Sequence, residues 1–285
     1  MKDEMTPLAD AVADFRKSTP RGPLAAALER VANETPEDAA AALAAADAEA
    51  LRQAAHERAT FRRRRYEETR PKAYTFACYQ NLLPQQDPDG RGSRWLDSGH
   101  KNALIVGPSG HGKTHLAYAI GNDAVARGMW VEAWTVSELL QALAPLPTHA
   151  RFDEVRSRRQ EATWDAVKEC ELLILDDLGA EAGSGYVADR NTEQLTEILT
   201  ARDTNPACRT IITLNGDRTD HLTDDPRGPN SKSRQKKVTE VKAAAANRIA
   251  ERYGARVATR LQNDMVGIWV EGACFRQAAT WNPFS

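Results

Sequence analysis

Only four cysteines occur in 285 residues, at Cys78, Cys170, Cys208 and Cys274, and none forms a C-x-x-C pair. That scarcity excludes a disulfide framework and a cysteine zinc knuckle. Long apolar runs are also missing, for no stretch approaches the roughly 18 residues of a membrane span. The opening MKDEMTPLAD is acidic and lacks the apolar core of a secretory leader, so a cytoplasmic location is expected. No charge of one sign dominates: 38 Lys and Arg against 40 Asp and Glu leave a net of −2, which excludes a protein that coats nucleic acid with its whole surface. No repeat of 20–50 residues is visible. The hydrophobic share of 41% is that of an ordinary globular chain, and the length is enough to bury a core without staples.

Three regions differ in texture. Residues 1–70 hold 19 alanines, favouring helix while offering little large apolar surface. Pro20 and Pro23 punctuate this arm, and Thr35-Pro36 reads as the N-cap and first position of a helix running from Glu37 to about Glu68. Between Arg52 and Lys72 eight basic residues face three acidic ones, and the run Arg62–Arg65 is either a solvated helical face or a docking surface for a partner or a phosphate backbone. Residues 71–99, rich in Pro, Gly, Asp and Gln, read as a linker plus a segment that folds onto the next domain. A second irregular stretch, Thr223–Val238, reads as a surface loop, and 227–242 carries a local charge of +5.

From Lys101 the pattern becomes regular. Apolar runs at Ala103–Gly107, Met129–Trp134, Leu172–Asp177, Arg209–Asn215 and Met265–Val270 read as strands. Helical spacing between them covers Thr114–Arg127, Ser137–Leu143, Phe152–Lys168, Asn191–Arg202, Val238–Tyr253 and Ala255–Leu261. Such alternation implies an α/β domain, 100–285, around a mostly parallel five-stranded sheet, preceded by a helical N-terminal appendage.

One motif has chemistry. Gly107-Pro108-Ser109-Gly110-His111-Gly112-Lys113-Thr114 fits G-x-x-x-x-G-K-[ST] and joins a strand to a helix, with His115 next in line. Its glycines let main-chain N–H groups close on phosphate, Lys113 adds a charge, and Thr114 offers a hydroxyl to Mg²⁺. At the end of an apolar strand, Asp176 supplies a carboxylate for the metal shell and Asp177 a group to polarise water. Asn215, closing RTIITLN, is placed to meet a γ-phosphate or orient that water.

Together GPSGHGKTHLA, LLILDDLGAE, RTIITLN and YGARVATRL resemble the DnaC/IstB branch of AAA+ ATPases, over roughly Pro71 to the C-terminus. The resemblance implies a P-loop AAA+ three-layer domain that binds ATP and Mg²⁺. It makes Asp176 and Asp177 the Walker B acids and Asn215 sensor one, and it places Arg256 and Arg260 in the stretch that carries an arginine finger. Their i, i+4 spacing sends both guanidinium groups from one helix face. Arg260 is preferred, Arg256 second, and Arg202 matches another recurrent family arginine. The resemblance also implies self-association through a trans arginine, single-stranded DNA, and a replicative helicase of the DnaB family or a transposase as partner.

Departures stand beside it. Asp177 occupies a position where many AAA+ enzymes have Glu, and Leu214 one where relatives often have Ser. The basic insertion and the Ala-rich arm do not map onto the family, and no separate lid domain is expected after Arg260. The expected function is helicase loading by a DnaC-like ATPase. The alternatives are an IstB-like transposition helper, or a nucleotide-gated adaptor with negligible hydrolysis.

Overall fold

A computed structural model describes residues 35–145, 154–179, 186–216, 232–262 and 264–270. Pro20, Pro23, Glu181, Cys274 and residues 223–231 of the irregular stretch lie outside them. Main-chain contacts divide the chain into Met1–Arg58 and Ala59–Ser285. Helix α1, Pro36–Thr69, matches the helix expected over 37–68.

In the second unit five strands, β1 (Asn102–Gly107), β2 (Val131–Thr135), β3 (Leu172–Leu178), β4 (Arg209–Asn215) and β5 (Met265–Trp269), form one parallel sheet in the order β2-β3-β4-β1-β5. Among the described residues five α-helices connect or flank them: α2 (Lys113–Ala126), α3 (Val136–Ala142), α4 (Glu154–Glu169), α5 (Tyr186–Thr204) and α6 (Lys232–Gln262). Gly254, at φ 83 and ψ 161, breaks α6 where the sequence places its two helices either side of Tyr253 and Ala255. Residues Lys232–Val238, expected as loop, are already helical, since the alanine-rich stretch after them extends a helix more readily than a turn. This is the α/β P-loop AAA+ fold.

Successive strand residues point to opposite faces, and both faces are covered. Leu104, Val106, Leu173, Leu175, Ile212 and Leu214 enter one core, with α3, α5 and α6. Ala103, Ile105, Leu172, Ile174 and Ile211 enter the other, against α2. That double burial is why β1, β3 and β4 each carry a run of consecutive apolar residues.

Helix α2 is buried nearly all round because the residues before β1 cover its outer side. Tyr66 and Trp95 are each 1% exposed there. Gly121 lets Tyr66 in: a Cβ at that position would lie 2.6 Å from the Tyr66 hydroxyl and 2.7 Å from Ile174. Asn122 ties the layer together, accepting from Tyr66 Oη and Arg70 Nη1 and donating to the Tyr74 and Ala77 carbonyls.

The basic run acquires a use that its charge alone did not specify. Arg62 stacks on Trp130 at 4.2 Å, and Arg65 Nε sits 2.8 Å from Oε1 of Glu132. Glu132 is itself 1% exposed, and its carboxylate also accepts from the indoles of Trp130 and Trp134. Two of the four arginines therefore anchor the last turns of α1 to the sheet's edge strand, because a buried carboxylate requires a cation. Arg63 pairs with Glu67 along the helix.

Candidate functional site

The site lies at the carboxyl ends of β1, β3 and β4, where open parallel sheets bind ligands. Gly107 ends β1 under constraint: a Cβ there would stand 2.3 Å from the Val270 carbonyl oxygen. Gly112 has φ 94, and its Cβ would overlap the Gln86 amide at 1.9 Å. No side chain caps α2 at Gly112, and the amino end of that helix borders the cleft, where its dipole favours an anion.

The functional side chains form two hydrogen-bonded series side by side. Lys113 Nζ, on a residue only 6% exposed, donates to the Pro108 carbonyl and to Asn215 Oδ1, both at 2.8 Å. Asn215 Nδ2 donates to Asp177 Oδ1 at 2.8 Å, the one polarity that satisfies a donor-only lysine and a carboxylate. Thr114 Oγ1 donates to Asp176 Oδ1 at 3.0 Å, and Thr213 Oγ1 to the same atom at 2.6 Å. Burial pushes the Asp176 carboxyl above the usual range, while the two hydroxyl bonds pull it back. Lys113, Thr114, Asp176, Asp177 and Asn215 thus converge on a cleft of about 590 Å³.

The donor set suits a hard cation. Thr114 and Asp176 offer a hydroxyl and a carboxylate oxygen, and Mg²⁺ takes few protein oxygens, completing its shell with water and phosphate. Among the described residues no cluster of three or more His, Cys, Asp or Glu could hold a metal by itself.

The cleft's other wall comes from the segment before β1. Tyr74, Asn81, Leu83 and Gln86 line it opposite Ser109, Gly110 and His115. Tyr74 stacks on Tyr118 with ring centroids 4.9 Å apart and meets His115 edge-on at 6.2 Å. Asn81 Oδ1 accepts from Cys78 N–H and lies 3.0 Å from His115 Nε2, so Nε2 bears the imidazole proton. Burial holds the His115 pKa below its ordinary value. His111, by contrast, turns back to its own loop, with Nδ1 2.9 Å from the Ser109 carbonyl oxygen. The sequence did not single out Tyr74, Asn81, Gln86 or Thr213. The only hint for the first three was an irregular segment directly ahead of the P-loop.

The arginines lie elsewhere. Arg260 Nη1 is 3.5 Å from Asp203 Oδ2 and borders Lys101, Asn102 and Thr210, at the amino ends of the strands. Five residue steps of β1 separate that end from Gly107, about 16 Å at strand rise. Arg256 is exposed on the same helix. Arg202 is 2% exposed and donates to the carbonyls of Val167, Cys170 and Arg209 and to the Thr210 hydroxyl. It braces the base of the sheet, away from the cleft.

Residues 43–215 match the family described as IstB-like ATP binding protein. Over 139 residues the chain is 30% identical to the uncharacterized protein YdaV of Escherichia coli (strain K12), covering 43% of this chain and 53% of that protein. Over 113 residues it is 35% identical to the putative insertion sequence ATP-binding protein y4iQ/y4nD/y4sD of Sinorhizobium fredii (strain NBRC 101917 / NGR234), covering 39% and 33%. The chain thus spans about half of the first relative and a third of the second. A crystal structure of the DnaC helicase loader superposes with TM-score 0.49 at 22% identity, over 70% of this chain and 100% of that one.

Proposed function

The chain belongs to the IstB-like ATP-binding family, and from that premise we propose that it hydrolyses ATP with Mg²⁺ in a site completed by a neighbouring copy. The observation that carries the reading is the bonded series Lys113–Asn215–Asp177 beside Thr114–Asp176, which puts a phosphate cation, a metal-shell carboxylate and a water-polarising carboxylate in one cleft.

Lys113 and the N–H groups from Ser109 to Thr114 hold the β- and γ-phosphates. Thr114 and Asp176 would hold Mg²⁺, which would neutralise charge on the phosphate oxygens. Asp177 orients and accepts a proton from the attacking water, while Asn215 fixes Asp177 and reaches the same phosphate as Lys113. Tyr74, Asn81 and His115 form the wall available to the base. Arg260 lies too far from its own cleft to serve it, and at 32% side-chain exposure it is open to the site of a second copy. Arg256, one turn earlier, is the alternative finger.

Such a switch acts on DNA through a partner held by the N-terminal arm. Our first reading is a replicative helicase delivered to single-stranded DNA. The insertion-sequence relative supports a second, a transposase helper. The arm is assigned to residues 1–70, the lead-in segment to 71–99 and the ATPase domain to 100–285.

Mixing subunits tests the shared site. Lys113→Ala and Arg260→Ala should each lose at least about 10³-fold in turnover, the low end for an arginine finger. Mixed together they should recover activity, because the lysine variant lends its Arg260 to the intact cleft of the other. Full turnover by Arg260→Ala alone, or no recovery on mixing, refutes the shared site. Adding a purified helicase with single-stranded DNA, or a transposase with its donor end, then separates the partners by which reaction the protein stimulates.

A further inference from the structure

We propose that Thr213, a residue in the middle of an apolar strand, is the positioning residue that sets both acids of the ATPase site. The inference rests on the roles given above to Asp176 and Asp177. Strands β3 and β4 pair in register from Leu172 to Leu175, which faces Ile212, and resume with Leu178 facing Leu214. Between those points β3 has two residues, Asp176 and Asp177, and β4 has one, Thr213. That two-against-one count is a β-bulge, a device that re-aims side chains and leaves a ladder group unpaired.

The bulge puts the two consecutive acids to use. In a regular strand they would point to opposite faces of the sheet. Here Asp177 turns into the left-handed region, φ 59, where an aspartate is tolerated far better than a branched residue. Both carboxylates consequently line the same cleft.

Thr213 holds this geometry with one hydroxyl. Its Oγ1 accepts the Asp177 main-chain N–H at 2.8 Å and donates its single proton to Asp176 Oδ1 at 2.6 Å. Both bonds are in the interior, where Thr213 is 1% exposed. Because the hydroxyl has one proton and Asp177 N–H can only donate, the direction of each bond is fixed. Oδ1 of Asp176 is thereby committed to Thr213 and Thr114, and Oδ2 takes no hydrogen bond among the described residues. The threonine thus selects which oxygen of Asp176 is offered to a metal, and where the Asp177 carboxylate stands relative to water.

The experiment compares wild type, Thr213→Val, Thr213→Ala and Thr213→Ser in the full chain. Nucleotide affinity without Mg²⁺, turnover, and the Mg²⁺ concentration for half-maximal turnover are read on each. Valine keeps the shape and removes the hydroxyl. It should lower turnover about 100-fold, the scale of a 1 Å misplacement, and raise the Mg²⁺ requirement. Metal-free nucleotide affinity should stay within about threefold. Serine should restore turnover to within a few-fold of wild type, and alanine should follow valine, covering the case in which the valine chain does not fold. Wild-type turnover in valine or alanine overturns the proposal, as does a serine variant that folds and binds nucleotide yet stays as slow as valine. A wild-type chain that binds nucleotide without turnover, at high concentration and with DNA, instead overturns the ATPase reading on which the proposal stands.

Discussion

Arg202→Met tests whether this arginine braces the fold or serves the cleft. The Arg202 guanidinium is 2% exposed and serves three main-chain carbonyls and the Thr210 hydroxyl, with distances of 2.9, 2.9, 2.5 and 3.1 Å. Methionine fills much of the same space but donates nothing. Each buried acceptor left unpaired costs about 1–3 kcal/mol. Partial relaxation and retained packing reduce the sum, so the expected loss is about 4 kcal/mol. That is roughly a thousandfold in the folded ratio, and at 2–4 °C per kcal/mol for a domain of this size the melting temperature falls by about 8–16 °C. Urea unfolding followed by tryptophan fluorescence gives the free energy, and nucleotide titration at 15 °C gives the affinity of the folded chain. Stability should fall by that amount while nucleotide affinity and turnover per folded molecule hold within about threefold. A loss under about 1 kcal/mol together with collapsed turnover would refute the reasoning and give Arg202 a part in turnover instead.

Two further expectations come from other contacts. Gly121→Ala puts a methyl 2.6 Å from the Tyr66 hydroxyl and 2.7 Å from Ile174, so the core must shift. A loss of about 1–3 kcal/mol is expected from overpacking, read as a lower urea midpoint. At the base of the sheet the His100 hydrogen bond, with the Lys101 N–H, holds the Asp264 carboxyl below its ordinary value. A depressed native pKa contributes stability that is fully present above about pH 3.9 and is lost as pH falls through the native value. Asp264→Asn tolerates the same left-handed backbone, φ 50, and should flatten the acid side of the stability profile. An unchanged slope between pH 2 and 4 would count against that account.

How local each signal is decides what the sequence revealed and what it concealed. Gly107–Thr114 was legible because its glycines, lysine and threonine are adjacent and the strand before them is short and apolar. Asp176, Asp177 and Asn215 were legible because each ends an apolar run. The placement of β4 between β3 and β1 was not, since strand order depends on crossovers rather than composition. Thr213 was hidden inside RTIITLN, where a β-branched polar residue looks like any strand former. Arg202 and Arg260 are the same residue type near helix ends; only burial distinguishes the brace from the residue that remains reachable. Arg62 and Arg65 read as phosphate ligands or solvated charges until Trp130 and Glu132, some 65 residues on, supplied their partners.

The fit of Tyr66 over Gly121 bears on how such proteins exchange parts. A gene fusion that joins a foreign arm at residue 71, where composition changes, discards Tyr66, Arg65 and Arg70. It would expose the outer side of α2 and strand Glu132 without its cation. A junction upstream of Ala59 keeps the whole set. The shortest stretch that preserves this packing therefore begins inside a helix, within Pro36–Thr69, and not at the change of composition.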